Sequence, residues 1–415
     1  MNKVKLSEVA TVELSSIDKK FDQNEIPVKL CNFTDVYYNW AITEDIISSC
    51  MNGSVKETEL NKFTLKKGQV AITKDSETRD DIGMPCYISD SFDNVVLGYH
   101  CALITPDNKK LNGKYLNALL NTEYARKCFE NQASGSGQRY TLSKEAIESI
   151  QIPLPSLDEQ KRIGAFFSNI DKKIQNNKRQ IEILESIAKT IYDYWFVQFD
   201  FPNEEGKPYK SSGGKMVWNE AIKDNIPEHW TLGCLYDIAD ITMGQSPCGN
   251  SYNQESRGEL FFQGCSNFGF RFPVENYYTS EPTRIAKEND ILMSVRAPVG
   301  TLNIALKECC IGRGLAALRH KQNAQSYLYY LLSTFKTRFD ILDSSGTTFG
   351  ALTKDVLFKL KVVIPTPRIV NKFELLAINL DQKIKKLELE NRQLCKAKNY
   401  ILPLIMNDQV SLKLN

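Results

Sequence analysis

Three histidines, His100, His229 and His320, are all the imidazoles of the chain, and no two stand near each other in sequence. Zinc sites are built from close pairs such as His-x-x-x-His or Cys-x-x-Cys, because one short stretch of chain must aim two ligands at one ion. Neither spacing occurs. Gly135-Ser-Gly137 lacks the third glycine of a dinucleotide loop, and no Gly-Lys-Ser/Thr string is present to cradle phosphates. The Asp/Asn-Pro-Pro-Tyr/Phe string with which amino-methyltransferases hold a flipped adenine is missing too. The carboxylates show no spacing that nominates an acid/base pair. The expectation is a chain without a metal and without a catalytic site of its own.

Eleven cysteines, an odd number without paired spacing, point to reduced thiols, and the adjacent Cys309 and Cys310 are badly placed for a mutual bridge. The formal net charge of +2 carries no nucleic-acid signal by itself. A DNA-binding reading therefore has to rest on base contacts or on a partner. The start, Met1-Asn-Lys-Val-Lys-Leu6, has no apolar run of signal-peptide length, and no later run reaches the ~18 residues of a membrane span. A cytoplasmic protein that avoids membranes is expected.

The elements that must position any site are written twice, about 210 residues apart. Leu142-Ser-Lys-Glu-Ala-Ile147 followed by Ile152-Pro-Leu-Pro155 returns as Leu352-Thr-Lys-Asp-Val-Leu357 followed by Val362-Val-Ile-Pro365, and Asp171-Lys-Lys-Ile174 returns as Asp381-Gln-Lys-Ile384. Each copy opens with a mixed region. In the first, β-like runs at 68–73 and 94–97 precede a helix near Tyr115 to Phe129. In the second, 290–295 and 310–318 take the β-like slots and Tyr327 to Ile341 the helix.

Each region then runs into a long helix. Ser156 and Glu159 have capping-box spacing directly after Pro153 and Pro155, so a helix is expected to start there. With Ile163 as heptad position a, the a series is Ile163, Ile170, Asn177, Leu184, Ile191, and the d series is Phe167, Ile174, Ile181, Ala188, Trp195. The second copy gives Phe373, Leu380, Leu387, Leu394, Ile401 and Ala377, Ile384, Asn391, Lys398, Ile405. Two helices of about 40 residues would each be ~60 Å long. Asn177 and Asn391 are read as register residues, and replacing either by leucine is expected to raise stability while admitting misregistered forms. The segment 199–214, rich in Pro, Gly and Ser, is an irregular connector, and the aromatic run from Tyr192 to Phe201 is expected to pack the end of the first helix.

The expected fold class is α+β, with two pseudo-repeated α/β domains separated by two long antiparallel coiled-coil helices. The expected boundaries are 1–155 and 230–365 for the two domains, 156–200 for the central helix, 201–229 for the connector and 366–412 for the C-terminal helix.

Several strings in this order resemble those of the DNA-specificity subunit of type I restriction-modification systems over essentially the full length. They are Ile72-Thr-Lys-Asp-Ser76, Gly98-Tyr-His100, Gly135-Ser-Gly-Gln-Arg-Tyr-Thr-Leu-Ser-Lys144, Ile152-Pro-Leu-Pro-Ser-Leu-Asp-Glu-Gln-Lys-Arg-Ile163 and Tyr192-Asp-Tyr-Trp-Phe-Val-Gln-Phe-Asp-Phe201. In the second copy they are Met243-Gly-Gln-Ser-Pro247, Phe261-Phe-Gln-Gly264, Ile291-Leu-Met-Ser-Val-Arg-Ala-Pro-Val-Gly300 and Ile311-Gly-Arg-Gly314. The second helix start, Thr366-Pro-Arg-Ile-Val-Asn-Lys-Phe373, departs from the Leu-x-Glu-Gln pattern of the first. The resemblance implies two target-recognition domains that read the halves of a split double-stranded DNA site, with the helices setting the gap. It implies no cofactor in this chain. Two modification subunits would supply S-adenosylmethionine and methylate adenine, and restriction subunits using ATP and Mg would join where they exist. The alternative from another class is a nuclease or DNA-modifying enzyme with unrecognised catalytic residues. A coiled-coil assembly protein without DNA affinity would leave two large domains without a task.

Base reading requires donors and acceptors at base edges, arginine to guanine and Asn or Gln to adenine being favoured by geometry. In the first half the candidates are Lys74, Tyr99, His100, Gln138, Arg139 and Tyr140. In the second they are Gln245, Gln263, Arg296 and Arg313, with Arg313 in the slot of Tyr99 and Arg296 just after the first β-like run. Gly312 and Gly314 are assigned to turn geometry rather than recognition.

Overall fold

The computed structural model describes residues 3–135, 139–344, 351–407 and 409–411, with the backbone alone at 337–338 and 341–344. The chain forms two compact units, Met1–Lys178 with Glu388–Asn415, and Arg179–Leu387.

The first unit is built on a five-stranded sheet in the order Ala10–Leu14, Cys101–Pro106, Val70–Thr73, Pro85–Ile88, Ala41–Ile42. Its central strands Cys101–Pro106 and Val70–Thr73 are apolar except at Thr105 and Thr73 because both faces are covered, and the period of two sorts the side chains. Val70, Ile72, Ala102 and Ile104 enter a core shared with Leu116, Leu119, Phe129, Ile163, Phe167, Leu402 and Ile405. Ala71, Cys101 and Leu103 face the other way, toward Cys86, Ile88 and Leu97. A second sheet of three strands, Met51–Val55, Ile26–Cys31 and Val95–Leu97, adjoins them.

The second unit repeats this logic. Its four-stranded sheet has the order Ala239–Met243, Leu315–His320, Ile291–Ser294, Leu302–Ile304. Ile291, Met293, Ala316 and Leu318 enter one core, and Leu292, Leu315 and Ala317 enter the other. The registers coincide: Cys101 pairs with Thr73 as Leu315 pairs with Ser294, and Ala102 pairs with Leu14 as Ala316 pairs with Met243. Equivalent positions of the two units can thus be read strand by strand.

Two readings need correction. The helix expected over Tyr115 to Phe129 is two helices, Gly113–Leu120 and Glu123–Gln132, because Thr122 caps the second by accepting a hydrogen bond from the Ala125 amide at 3.3 Å. The run 310–318 is likewise two strands, Cys309–Ile311 and Leu315–His320, interrupted at 312–314.

The first long helix, Leu157–Tyr192, continues as a π-helical turn over Asp193–Val197, and the second spans Pro367–Met406. The Ser156 hydroxyl accepts from the Glu159 amide at 3.3 Å, as the capping motif required. The adjacent Gln160 is 1% exposed and fastens the helix start to the first unit. It accepts from the Asn112 amide at 2.9 Å and donates to the Lys110 and Pro155 carbonyls at 3.0 Å each. One turn on, a Cβ at Gly164 would lie 2.7 Å from the Tyr115 amide nitrogen, so only glycine permits this approach. At the equivalent place in the second unit Glu374 instead accepts from the Ser326 and Tyr327 amides at 3.1 and 3.0 Å, capping the helix Gln325–Ser344.

Within each unit the two long helices run antiparallel. In the first, Asn177 faces Asn391, while Ile163 and Phe167 share a core with Leu402 and Ile405. Lys398, an odd occupant of a d position, lays its ammonium 3.5 Å from the centroid of the Trp40 ring, a cation–π contact. In the second unit Ile181 and Leu184 pack with Ile384 and Leu387. There the fully buried Arg271 bonds Glu185 of one helix and, at 2.7 Å, Asp381 of the other, with its guanidinium carbon 4.1 Å from the Tyr329 ring centroid. Tyr192, Trp195, Phe196 and Phe201 are buried against Trp230, Tyr327 and Phe373, so the aromatic run is packing except at Tyr194, which is exposed.

Candidate nucleic-acid interface

In the first unit a small sheet of Ser134–Gly135, Tyr140–Thr141 and Asp75–Ser76 grows from the end of the central strand Val70–Thr73. The Lys74 amide donates to the His100 carbonyl at 2.9 Å, and the Leu142 amide donates to the Lys74 carbonyl at 2.8 Å. These backbone bonds gather three segments far apart in sequence. Lys74, His100 and Arg139 consequently meet around one carboxylate, Asp75, while Tyr140 pairs with Ser76 beside it.

Asp75 accepts from the Thr141 hydroxyl at 2.6 Å, lies 2.7 Å from His100 Nδ1 and 3.3 Å from Lys74 Nζ, and has Arg139 Nη2 at 3.6 Å. Burial would raise its pKa, but the bonds from Thr141 and His100 and the charge of Lys74 outweigh it and hold the carboxyl below its usual range. Arg139 Nη2 also lies 2.7 Å from His100 Nδ1. One ring nitrogen serves one of these neighbours at a time, so Asp75 and Arg139 compete for it. The Tyr99 ring sits 3.6 Å from that of His100, and the Arg79 guanidinium stands over Tyr140 at 5.3 Å. Arg139 is exposed and the other candidates are half-buried. Gln138 lies outside the described residues.

Sequence reading missed Asp75 although it adjoins Lys74. A Lys-Asp pair after a strand looks like an ordinary solvated pair, and only the cross-strand partner Thr141 reveals the carboxylate as a hub.

In the second unit the candidates Gln263 and Arg313 converge on Ser246. Gln263 Nε2 donates to its hydroxyl at 2.8 Å, and the Arg313 amide and Nε both donate to it at 3.3 Å. Gln245, next to Ser246, is held by its amide to the Ile311 carbonyl at 3.0 Å. Gln245, Gln263, Arg296 and Arg313 all have exposed side chains. Gly312 to Leu315 form a turn, closed by the Leu315 amide donating to the Gly312 carbonyl at 3.0 Å, in keeping with the turn reading, but neither glycine takes the left-handed conformation that would itself demand glycine. Close approach is the reason instead: a Cβ on Gly312 would stand 2.6 Å from Gln263 Oε1, and one on Gly314 2.8 Å from the Gln263 carbonyl.

The shared register fixes the equivalences. The Val295 amide donates to the Gly314 carbonyl as the Lys74 amide does to that of His100, and the Leu352 amide donates to Val295 as Leu142 does to Lys74. Arg313 therefore corresponds to Tyr99. Arg296, bridged to Ala351, corresponds to Asp75, bridged to Thr141. Arg296 stays apart from the Ser246 cluster in its hydrogen bonding.

No group of three or more potential metal-ligating side chains and no helix long and apolar enough to cross a membrane is found among the described residues.

A repeated α/β unit with divergent polar side chains at matching strand ends, joined to long paired helices, defines a two-part recognition scaffold. The family model for the type I restriction modification DNA specificity domain matches residues 1–186 and again 227–398, and the chain belongs to that family, the DNA-recognition, non-catalytic component of type I restriction-modification systems. It is 30% identical over 363 residues to the putative type I restriction enzyme MjaX specificity subunit of Methanocaldococcus jannaschii, covering 86% of this chain and 82% of that one. The HindI specificity subunit of Haemophilus influenzae is 22% identical over 465 residues, covering 95% and 97%. Among solved structures, the S subunit of a type I system from M. genitalium has the same fold, with a TM-score of 0.61 at 14% identity over 100% of this chain and 96% of that one.

Proposed function

We propose that this chain reads a bipartite double-stranded DNA site, one half with each unit, and directs adenine methylation by two modification subunits bound to it. Those partners would carry S-adenosylmethionine. Restriction subunits using ATP and Mg would add cleavage where they are present, and the complex would work in the cytoplasm. The recognition domains would be 1–155 and 230–365, the connector 201–229, and the helical segments 156–200 and 366–412 would hold the half-sites at a set gap. The observation that carries this reading is the shared strand register with unlike polar groups at matching positions, Tyr99 against Arg313 and Asp75 against Arg296. One framework with two sets of polar groups is suited to two different half-sites. Lys74, Tyr99, His100, Arg139 and Tyr140, with Gln138, would contact the first half-site, and Gln245, Gln263, Arg296 and Arg313 the second.

The test is a methylation assay with the purified chain, S-adenosylmethionine and DNA, with and without the cognate modification subunit. Methyladenine should appear in both halves of a split site only when the modification subunit is added. Robust methyl transfer or cleavage by the chain alone would favour the enzyme alternative.

A further inference from the structure

We propose that Asp75 is a positioning residue that sacrifices DNA affinity for discrimination in the first half-site, by fixing the directions of Lys74 and His100. This rests on the DNA-reading role proposed above and names a residue within it.

Three cationic or hydrogen-bonding side chains grouped at a strand end would bind phosphates most strongly if left free. Here they surround an ionised carboxylate, which cancels part of their charge and repels a polyanion. As a device for affinity this arrangement is counterproductive. As a device for geometry it is effective, because a long, freely rotating side chain such as lysine loses rotamer entropy when it takes up one direction at a base edge. A carboxylate already restrained by Thr141 at 2.6 Å holds that direction before DNA arrives. Lys74 is only 16% exposed at its side chain and Asp75 12%, so the pair is set into the wall rather than splayed in solvent.

The second unit supplies an internal comparison. At the same bridge position it carries Arg296, exposed, with Ala351 in place of Thr141. The anchoring hydroxyl and the carboxylate are thus absent together, as expected if Thr141 serves to hold Asp75. The second half should accordingly depend on no such clamp.

The experiment is a binding selection on randomised DNA with the full chain in complex with its modification subunit, comparing wild type, Asp75→Asn and Thr141→Val, with a salt titration of each on unrelated DNA. Asp75→Asn should bind unrelated DNA several-fold more tightly at low salt, with a salt slope steeper by up to ~1 for each cation released. Preference at one or more positions of the first half-site should fall about fivefold or more, with second-half preferences unchanged. Thr141→Val leaves the charge in place, so it should lose first-half preference without gaining affinity for unrelated DNA. A merely structural role would weaken binding to all sequences. That result, or an unaltered first-half preference in both variants, overturns the proposal. If wild type enriches no split site at all, the DNA-reading function fails first and the positioning role with it.

Discussion

The side-chain amide of Asn177 donates to the side-chain oxygen of Asn391 at 2.9 Å, so the polar residue in each helical seam is the partner of the other. Asn177 also donates to Glu390 at 2.9 Å, and both asparagines are buried. The expectation that either single leucine raises stability therefore has to change. Asn177→Leu strands the amide of Asn391 against an apolar neighbour and should cost ~1–3 kcal/mol, and Asn391→Leu should do the same. The double leucine variant removes both desolvated amides and should recover that loss or exceed the wild type. Thermal unfolding of all four forms measures the coupling, and light scattering of the double variant should reveal self-associated species. Additive single effects would show that the two residues do not act as a pair.

Arg271 makes a different kind of contact across its helix pair, as a buried cation between Glu185 and Asp381. Arg271→Met should destabilise the second unit by ~3–5 kcal/mol, because two carboxylates are left without their counter-ion. Burial already pushes Glu185 above the usual carboxylate range, and Arg271 pulls it back. Without that pull the folded state binds its proton still more readily than the unfolded chain, so folding gains as the pH falls. The deficit in melting temperature should thus be largest near neutral pH and shrink toward pH 5. A deficit independent of pH would argue that lost packing, not unpaired charge, is the cause.

His320 should make the same unit sensitive to acid. Its Nδ1 accepts from the Gln322 and Ala324 amides at 3.1 and 3.2 Å, and burial pushes its pKa down to about 4. The folded state holds the ring neutral while the unfolded chain takes up a proton near the ordinary value of about 6.5, so the stabilisation is full above that pH and is lost as the pH falls toward 4. At most ~3 kcal/mol is involved. His320→Asn, which keeps an acceptor without a titrating group, should flatten the fall in melting temperature between pH 6.5 and 4. An equally steep fall in the variant would assign the acid sensitivity to other groups.

How much of this was legible depends on whether the cause was local. Ser156 and the heptad from Ile163 to Trp195 announced the first long helix, since capping and the 3.5-residue period are properties of a single segment, and Ile163, Phe167, Ile174, Ile181 and Ala188 are indeed buried. The repeat told where equivalent strands lie. It did not tell that Arg296 matches Asp75, because that equivalence is set by pairing with Ala351 and Thr141 in distant segments. Arg271 carried no signal in its neighbourhood Phe268-Gly-Phe-Arg-Phe272, as its partners are 86 and 110 residues away. Lys398 looked wrong in an apolar seam until Trp40 supplied the ring beneath it. Gln160 was visible as part of a family string, but its three bonds to the first unit were not.

The proposal of two readers held at a set gap by the helices is tested most directly through the helix lengths themselves. One heptad inserted into each long helix, after Lys178 and before Glu388, preserves the seam and lengthens the pair by ~10 Å, which at 3.4 Å per base pair is roughly three base pairs. Methylation mapping of cells carrying this variant with its modification subunit should show both half-sites with unchanged letters and a gap about three base pairs longer. The same gap in a folded, active variant, or altered letters in either half, would contradict the division into readers and spacer.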